Sequence, residues 1–595
     1  MSIRTDQHAP SRWASRVLAL GAALLSAAAI AQGGPTTIDV RDIRPGMRGF
    51  GLSVFRGEQP ERFDVEVIDV LHGFRPDQDL ILVRTPHPLL DHARAVGGMS
   101  GSPVYLNGKL AGAYAYGWQF GLDPVVGVTP IANMLAEIDR PVRPLPFGRP
   151  FTREQRSRRR AQRNATPARA EGPTPVVTPV MFSGFDPSVV HALSESFAEH
   201  GLVPLQGGGA GQGAGGGRFV DGGAIGVTLV RGDISATAIG TVTHVGAGSR
   251  VVAFGHPMLN GGEVRLPTST ARVLHVLASA ARSFKIAEAI DPLGSLVHDR
   301  QAAIVVDSAL QADTVPVRIR LHGLVDPPRS EWNLELASHR QLTPQLLFGS
   351  LLNAIKASSS DEADVMFRAE YEAEIEGHAP VRLTDEGYMG AGPSDARALS
   401  RMRLFDLVEI AYANAFEPSR LRAVNIDLHL RFGDDVLRLV DASAPQGQVD
   451  PGARVPVRLR FRRYGEADLE RTVLVPIPMR AAGETVRVRF RSGASVRRET
   501  GRPTSMADLV VATRSRFAST QLIASMRLGS RGVRFEGQAA DSLPRGVMNT
   551  LRLTTEPAAP SYITELHTPY EMNAVVSGDS TLSFRVRQTP LEDRR

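Results

Sequence analysis

Alternating apolar and polar residues mark the chain between residues 36 and 140. Phe63, Val65 and Val67 alternate with more polar neighbours, and a short apolar run follows at residues 80–83. A period of two residues places every second side chain on one face of a strand. The pattern therefore predicts a compact β-rich domain, which carries the candidate serine described below, over residues 32–140.

A second set of strand patterns lies farther along the chain. Apolar runs at residues 227–230, 238–245 and 251–254 are separated by glycine-containing breaks. Short apolar runs bounded by such breaks are typical of buried strands. We expect a second β domain, which contains His256, over residues 179–330.

The pattern becomes mixed after residue 330. Thr343 and Pro344 form a helix N-cap and first helical position ahead of a leucine-rich run, and residues 399–416 are a second amphipathic helix candidate. The region 331–430 is therefore predicted to combine helix with sheet.

Short alternating strands resume in the C-terminal part of the chain. Residues 455–461 and 486–490 are examples, separated by glycine, proline and aspartate turns. Such spacing is typical of sandwich folds. One or two β-sandwich-like accessory domains are expected over residues 431–595.

Two segments lack a periodic apolar pattern. Residues 141–178 are rich in arginine and proline and are predicted to form a linker, and residues 206–217 are almost all glycine and alanine and are predicted to form a mobile loop. A chain of 595 residues is also longer than a single core usually supports. The sequence thus predicts a mainly β, multidomain protein.

The N-terminal segment, residues 1–31, has the features of a secretory signal peptide. Arg4, Arg12 and Arg16 precede an apolar run over residues 17–30, and small residues at positions 29 and 31 suit cleavage. The run has 14 residues, short of the roughly 20 that a membrane-spanning helix needs. We expect export to the periplasm or the exterior and no integral membrane segment after cleavage, with an uncleaved anchor as the alternative.

The net charge of +6 is concentrated in a few places. Residues 151–170 contain seven arginines against one glutamate, and the signal segment adds further positive charge. A basic run beside proline and glycine is typical of a solvated linker. We therefore expect no nucleic-acid partner.

The absence of cysteine excludes disulfides, thiol catalysis and thiolate metal sites. The sequence has no HExxH or comparable metal motif, and we expect neither a metal nor a cofactor. Only Lys109, Lys285 and Lys356 are lysines, a scarcity that we interpret as coding bias.

The chemical candidate with the clearest rationale is the run Gly-Met-Ser-Gly-Ser-Pro at residues 98–103. A serine hydroxyl becomes a nucleophile when a base takes its proton and backbone amides stabilise the oxyanion. Ser100 is the predicted nucleophile, because glycines flank it and the amides of Gly98 and Ser100 can face one oxygen as an oxyanion hole. Ser102 lacks a glycine two positions before it and is the lesser candidate. The alternative is a purely structural turn.

A hairpin signal follows the serine loop directly. Asn107 and Gly108 separate two apolar segments, the pattern of a type I′ turn. Chymotrypsin-like (trypsin-like) proteases share this plan of a serine loop, a strand pair and a glycine-containing segment, here at residues 116–118. The plan favours a chymotrypsin-like β-barrel peptidase unit over an isolated turn.

Two segments resemble the SpoIVB (stage IV sporulation protein B) family of serine peptidases. The first is GMSGSPVYLNGKLAGAYAYGWQF at residues 98–120, and the second runs from Arg231-Gly232-Asp233 to Ala253-Phe254-Gly255-His256. The family's Gly-His segment carries its catalytic histidine, so the resemblance implies that His256 is the general base, a role that suits a neutral imidazole. The family is associated with limited, regulatory proteolysis and with processing of its own chain.

Two features differ from that family. Its histidine precedes its serine, whereas Ser100 precedes His256 here, so either the halves are permuted or the site assembles between protomers. The family's aspartate has no counterpart at the matching place. Asp91, Asp233 and Asp299 are substitutes, and both a Ser-His dyad and a lost activity stay open.

The sequence therefore predicts an exported serine endopeptidase that performs limited or regulatory cleavage of protein or peptide substrates, its own linker among them. The alternative is a catalytically inactive exported protein that uses the peptidase-like fold and the C-terminal β domains to bind a partner or the cell envelope.

Overall fold

The computed structural model describes residues 36–118, 121–142, 172–208, 217–359, 364–393, 396–496, 503–535 and 561–588, with short stretches at 538–540, 544, 546–547 and 550. The predicted signal peptide, the arginine run and most of the glycine-rich segment lie outside the described residues. The mainly β fold that the sequence predicts is confirmed. None of the helices in the described residues is long and apolar enough to span a bilayer.

The first sheet closes into a six-stranded antiparallel barrel. Its part of the chain contains β1 Arg48–Ser53, β2 Glu61–Arg75, β3 Gln78–Arg84, α1 Leu90–Ala93, β4 Val96–Gly97, β5 Pro103–Leu106, β6 Lys109–Gly117, β7 Val125–Pro130, α2 Ile131–Ile138 and β8 Thr174–Pro175, preceded by a 3-10 helix at Val40–Asp42. In the order β5-β1-β2-β3-β7-β6, each strand pairs antiparallel with the next, and β6 pairs back to β5. Strand β8 is added at β6.

Local patterns explain parts of this barrel. Phe63, Val65 and Val67 are buried on one face of β2, as their spacing predicts. Asn107 and Gly108 both have positive φ, at 50° and 76°, and they join β5 to β6 as a two-residue hairpin. These are the angles that a type I′ turn requires.

A second ring of six antiparallel strands carries the histidine segment. Its part of the chain contains β9 Thr178–Ser183, α3 Pro187–Ala198, β10 Leu202–Gln206, β11 Ala224–Gly232, β12 Ser235–Val245, β13 Arg250–Ala253, β14 Gly262–Leu277, β15 Ser283–Arg300 and β16 Ala303–Asp307. Strands β11, β12, β13, β16, β15 and β14 pair in that order, and β14 pairs back to β11. Strand β4 of the serine segment pairs with β15, so the two halves are joined by backbone hydrogen bonds.

Further strands extend this second sheet, and helices lie between them along the chain. The elements are β17 Thr314–His322, β18 Glu331–Ala337, α4 Leu342–Ser358, β19 Val365–Ile375, β20 Val381–Pro393, α5 Ala396–Ser400, α6 Arg403–Ala413 and β21 Leu421–Phe432. The mixture of helix and sheet is as predicted. The N-cap of α4 is Gln341 rather than Thr343, whose hydroxyl instead donates to Ala337 O at 2.8 Å.

The C-terminal strands form two sheets of four and six strands around a core of their own. The strands are β22 Leu437–Ser443, β23 Gln448–Val449, β24 Arg454–Arg462, β25 Leu469–Pro476, β26 Thr485–Ser492, β27 Gln521–Phe535, β28 Gln538–Ala540, β29 Ser561–Glu571, β30 Val576–Ser577 and β31 Asp579–Val586. Helix α7 is Met506–Arg514, and short 3-10 helices lie at Met479–Ala481 and Gly493–Ser495.

Candidate active site

The serine loop connects β4 to β5 and is held against the second ring. Gly98 and Gly101 have positive φ, at 88° and 100°, conformations that glycine adopts without strain. A Cβ on Gly101 would lie 1.9 Å from Thr241 O and 2.5 Å from Phe254 N. Glycine is therefore required at position 101, because the backbone of the second ring occupies the space of a side chain.

Strand β12 fixes this loop with three hydrogen bonds. Thr241 N donates to Ser100 O at 2.8 Å, and Thr241 Oγ1 donates to Gly98 O at 2.9 Å. Thr243 Oγ1 donates to Gly101 O at 2.7 Å. The loop that carries the candidate nucleophile is thus positioned by the sheet that carries the candidate base.

The candidate base follows a strained turn at the end of β13. Phe254 has φ at 70°, and the amide of Gly255 donates to Ala253 O at 2.9 Å, which makes the uncommon γ-turn with positive φ. Thr129 Oγ1 of the first barrel donates to Gly255 O at 2.6 Å. Strained backbone of this kind persists where the surroundings hold it, as they do here just before His256.

His256 is buried and held in one tautomer. Its Nδ1 lies 2.8 Å from Pro257 O, and a carbonyl oxygen only accepts, so Nδ1 carries the hydrogen. Nε2 therefore has a free lone pair, and this atom makes no hydrogen bond. Burial lowers the pKa of His256 to about 4, which leaves the imidazole neutral at pH 7.

Ser100 is fully buried, and its hydroxyl also makes no hydrogen bond. The hydrogen bond that a preassembled pair would form between Ser100 Oγ and His256 Nε2 is therefore not made. The two loops are nevertheless in contact, since the amide of Phe254 donates to Thr241 O at 3.3 Å and Thr241 binds the backbone of Ser100. Thr241 thus links the segments that carry the two residues, and both functional atoms are without a hydrogen-bond partner.

Three backbone amides of the serine loop already donate hydrogen bonds to carbonyl oxygens of the protein. Met99 N donates to Val96 O, Gly101 N to Tyr114 O, and Ser102 N to Met99 O. An oxyanion hole in this loop would therefore have to use the amides of Gly98 and Ser100, as the sequence predicts.

The two serines of the loop differ in their hydrogen bonds. Ser102 Oγ lies 2.7 Å from Met99 O and 2.9 Å from Ser53 Oγ. Because the Met99 carbonyl can only accept, the Ser102 hydroxyl donates its hydrogen to Met99 O, and the Ser53 hydroxyl donates to Ser102 Oγ. The hydroxyl of Ser102 is committed to the loop, whereas that of Ser100 is not, which favours Ser100 as the nucleophile.

None of the three carboxylates considered as the third catalytic group is hydrogen-bonded to His256. Asp91 is exposed in α1, and Asp233 accepts from Asn333 N at 2.7 Å. Asp299 is fully buried, and its oxygens bind the amides of Met258, Leu259 and Gly261 at 2.6–3.1 Å. The Pro257 carbonyl, and not one of these three possible substitutes, makes the hydrogen bond to the imidazole.

Asp299 instead holds the backbone that follows His256. It binds the loop that follows His256, so it fixes the segment that contains the Pro257 carbonyl. Burial raises the pKa of Asp299, and the amide hydrogen bonds oppose that rise.

Lys285 lies behind the serine loop, and sequence reasoning missed it. It belongs to β15 and is fully buried, with its aliphatic carbons within 3.4 Å of the position that a Cβ on Gly98 would occupy. Nζ donates to Ser53 Oγ at 2.9 Å and to Thr241 Oγ1 at 3.2 Å. Burial lowers the pKa of Lys285 to about 7.

Two series of hydrogen bonds lead from Lys285 Nζ through hydroxyl groups to the backbone of the serine loop. One runs through Thr241 Oγ1 to Gly98 O, and the other runs through Ser53 and Ser102 to Met99 O. A signal for its burial exists in the sequence, because Lys285 alternates in phase with Ser283 and Ala287 on the inward face of β15.

The described residues contain no group of three or more histidine, aspartate or glutamate side chains arranged to hold a metal ion. Comparison with protein-family models, with curated proteins and with solved structures finds no match to this chain. The resemblance to the SpoIVB family therefore rests on the two sequence segments themselves.

Proposed function

We propose that this protein is an exported serine endopeptidase of the SpoIVB type, in which Ser100 attacks the substrate and His256 carries the proton. One observation carries the proposal: two loops in contact present a hydroxyl and an imidazole nitrogen that are both buried and both without a hydrogen-bond partner. Buried polar atoms are nearly always paired. Other buried side-chain atoms of the described residues also have no partner, but here an unpaired hydroxyl and an unpaired imidazole nitrogen lie in two loops that touch.

The chemistry follows from the tautomer of His256. Its free Nε2 lone pair takes the Ser100 proton as Oγ attacks the carbonyl carbon, and the amides of Gly98 and Ser100 stabilise the oxyanion. The imidazolium then gives the proton to the leaving amine, and water hydrolyses the acyl-enzyme in a second, equivalent cycle.

The two closed rings of strands support a chymotrypsin-like architecture. Each ring has six antiparallel strands, and each supplies one residue of the pair. A permuted order of serine and histidine is compatible with such an arrangement, because catalytic groups are defined by their geometry rather than by chain order. Pairing within one chain is the simpler form of the proposal, since the loops contact each other in cis.

Labelling with a fluorophosphonate probe tests the reaction directly. We expect Ser100-dependent labelling of the wild type, its loss in Ser100→Ala, and a decrease of at least about a hundredfold in His256→Ala. Ser102→Ala is the matched control, and it should retain labelling because its hydroxyl is used within the loop. Equal labelling of Ser100→Ala and wild type would reject the assignment.

The rival function is a catalytically inactive exported protein that binds a partner or the cell envelope. It is favoured by one observation: among the residues that the structure describes, no carboxylate makes a hydrogen bond to His256. A folded wild type that no probe labels at any pH would support this rival. Under both proposals, export rests on residues 1–31.

A further inference from the structure

A short extended segment crosses the candidate active site. Strand β8 pairs antiparallel with the end of β6, with Tyr116 opposite Pro175 and Gly117 opposite Thr174. The next residue continues the pairing, because Val176 N donates to Ala115 O at 2.8 Å. Thr174 and Pro175 therefore form a short added strand at the end of β6, and Val176 extends this pairing by one hydrogen bond.

This segment contacts both halves of the site. A Cβ on Gly97, the residue before the serine loop, would lie 3.0 Å from Val177 O and 3.2 Å from Val177 Cγ2. On the other side, the backbone of Val176 acts to raise the pKa of His256, which is the effect of a carbonyl oxygen close to the imidazole ring. The segment thus lies beside Gly97, which precedes the Ser100 loop, and beside the ring of His256.

Glycines line the path of this segment. A Cβ on Gly117 would lie 2.9 Å from Ala95 Cβ and 3.5 Å from Val176 Cγ2, so a larger side chain there would press on the strand. Gly97 leaves room for Val177 in the same way. A channel bounded by a strand edge and by glycines accepts an extended backbone of any sequence, and the side-chain pockets then set the preference.

We propose that residues 174–177 occupy the substrate channel as an internal strand, which keeps the site closed and shows its substrate class: extended polypeptide with small, β-branched apolar side chains beside the reacting atoms. The inference rests on the proposed peptidase function. Both Ser100 and His256 are buried, as expected for a site whose channel is occupied.

The occupant has the features of a bound peptide. Thr174 is exposed, whereas Val176 is buried with 6% of its surface accessible. Pro175 cannot donate a hydrogen bond, so the segment is held by the few backbone contacts on either side of it. Such a strand can be displaced by a peptide that offers the same pairing.

The test compares fluorophosphonate labelling in three full-length proteins. The double variant Val176→Gly/Val177→Gly keeps the backbone and removes one buried and one partly buried side chain, and Thr174→Ser changes only the exposed position of the same segment. We expect labelling of Ser100 to be at least about tenfold faster in the double variant, because the open site is more populated, and unchanged in Thr174→Ser.

A synthetic peptide supplies the second arm. Acetyl-Gly-Pro-Thr-Pro-Val-Val-Thr-amide, the sequence of residues 172–178, should slow labelling of the double variant, and a scrambled peptide should not. Hydrogen-deuterium exchange over residues 113–118 should show protection when the same peptide binds, which is a readout that needs no catalysis.

The outcomes separate the two proposals. If the wild type is labelled at Ser100 but the double variant is labelled no faster and binds no peptide, the internal strand is refuted and the peptidase stands. If nothing is labelled, yet the peptide protects residues 113–118 of the double variant, the channel stands and the peptidase fails. Thermal unfolding of each variant checks that the loss of two valines has not unfolded the protein.

Discussion

Replacing Lys285 with methionine is expected to stabilise the protein at neutral and acidic pH. The ammonium group is fully buried, and burial lowers its pKa from 10.5 to about 7. A group whose charged form is disfavoured by folding lowers stability wherever it is protonated in the unfolded state, and by the full amount below its folded pKa. Methionine has a similar length and no charge, so Lys285→Met removes this penalty.

The magnitude follows from the shift in pKa. A fall from 10.5 to about 7 is roughly 3.5 units, which at about 1.36 kcal/mol each amounts to about 5 kcal/mol. The variant also loses the hydrogen bonds to Ser53 and Thr241, at about 1 kcal/mol each. Below pH 7 we therefore expect the free energy of unfolding to increase by about 3 kcal/mol.

The sign of the difference depends on pH. Between about pH 7 and 10.5 the unfolded lysine holds a proton that the folded protein has released, so the stability of the wild type rises with pH in this window. The advantage of the variant shrinks in parallel. Above about pH 9 the lost hydrogen bonds outweigh the remaining charge penalty, and Lys285→Met becomes the less stable protein.

Urea unfolding at about pH 6, 8 and 10 measures this difference. Tryptophan fluorescence is a suitable signal, because Trp332 lies in β18 of the same sheet as Lys285. Lys109→Met, at an exposed position of β6, is the matched control and should change stability little at any pH. A variant that is no more stable than the wild type at pH 6, or a difference that does not vary with pH, would refute the reasoning.

Three further predictions concern the loops of the site. Gly101→Ala should lower the thermal unfolding midpoint far more than Gly108→Ala, because both have positive φ but only Gly101 has backbone atoms within 2.5 Å of the new Cβ; equal effects would contradict the close contact. Between pH 6.5 and about 4 the wild type should lose up to about 3 kcal/mol as the unfolded histidine gains a proton first, and His256→Asn should show a flatter acid dependence in urea unfolding. Asp299→Asn should cost about 2 kcal/mol and slow probe labelling of Ser100, since an amide cannot accept all three backbone hydrogen bonds; unchanged labelling would exclude a positioning role.

Local patterns in the sequence were sufficient for individual elements. The alternation in β2 places Phe63 in the core, and the pair Asn107 and Gly108 gives the hairpin, because each depends only on a period or on a turn type. The candidate nucleophile follows from the same local reasoning, since glycine is required where the loop turns and approaches another strand.

Long-range pairing could not be predicted in this way. No periodicity in β4 indicates that it pairs with β15, and none in β12 indicates that Thr241 binds the backbone of Ser100. The buried amine of Lys285 depends on the same pairing, because Ser53, Thr241 and the lysine come from three distant strands. The inward phase of Lys285 in β15 was the one local clue to its place.

The hydrogen bond to Pro257 has a chemical consequence for the proposed reaction. A neutral carbonyl orients the imidazole as a carboxylate would, but it stabilises the imidazolium less. In the closed site, with the pKa of His256 at about 4, forming the imidazolium costs about 3 kcal/mol more than for an ordinary histidine. Asp299 cannot offset this cost, because its oxygens bind backbone amides. For the proposed peptidase, the lack of a carboxylate at Nδ1 therefore favours limited cleavage of a few sites over degradation.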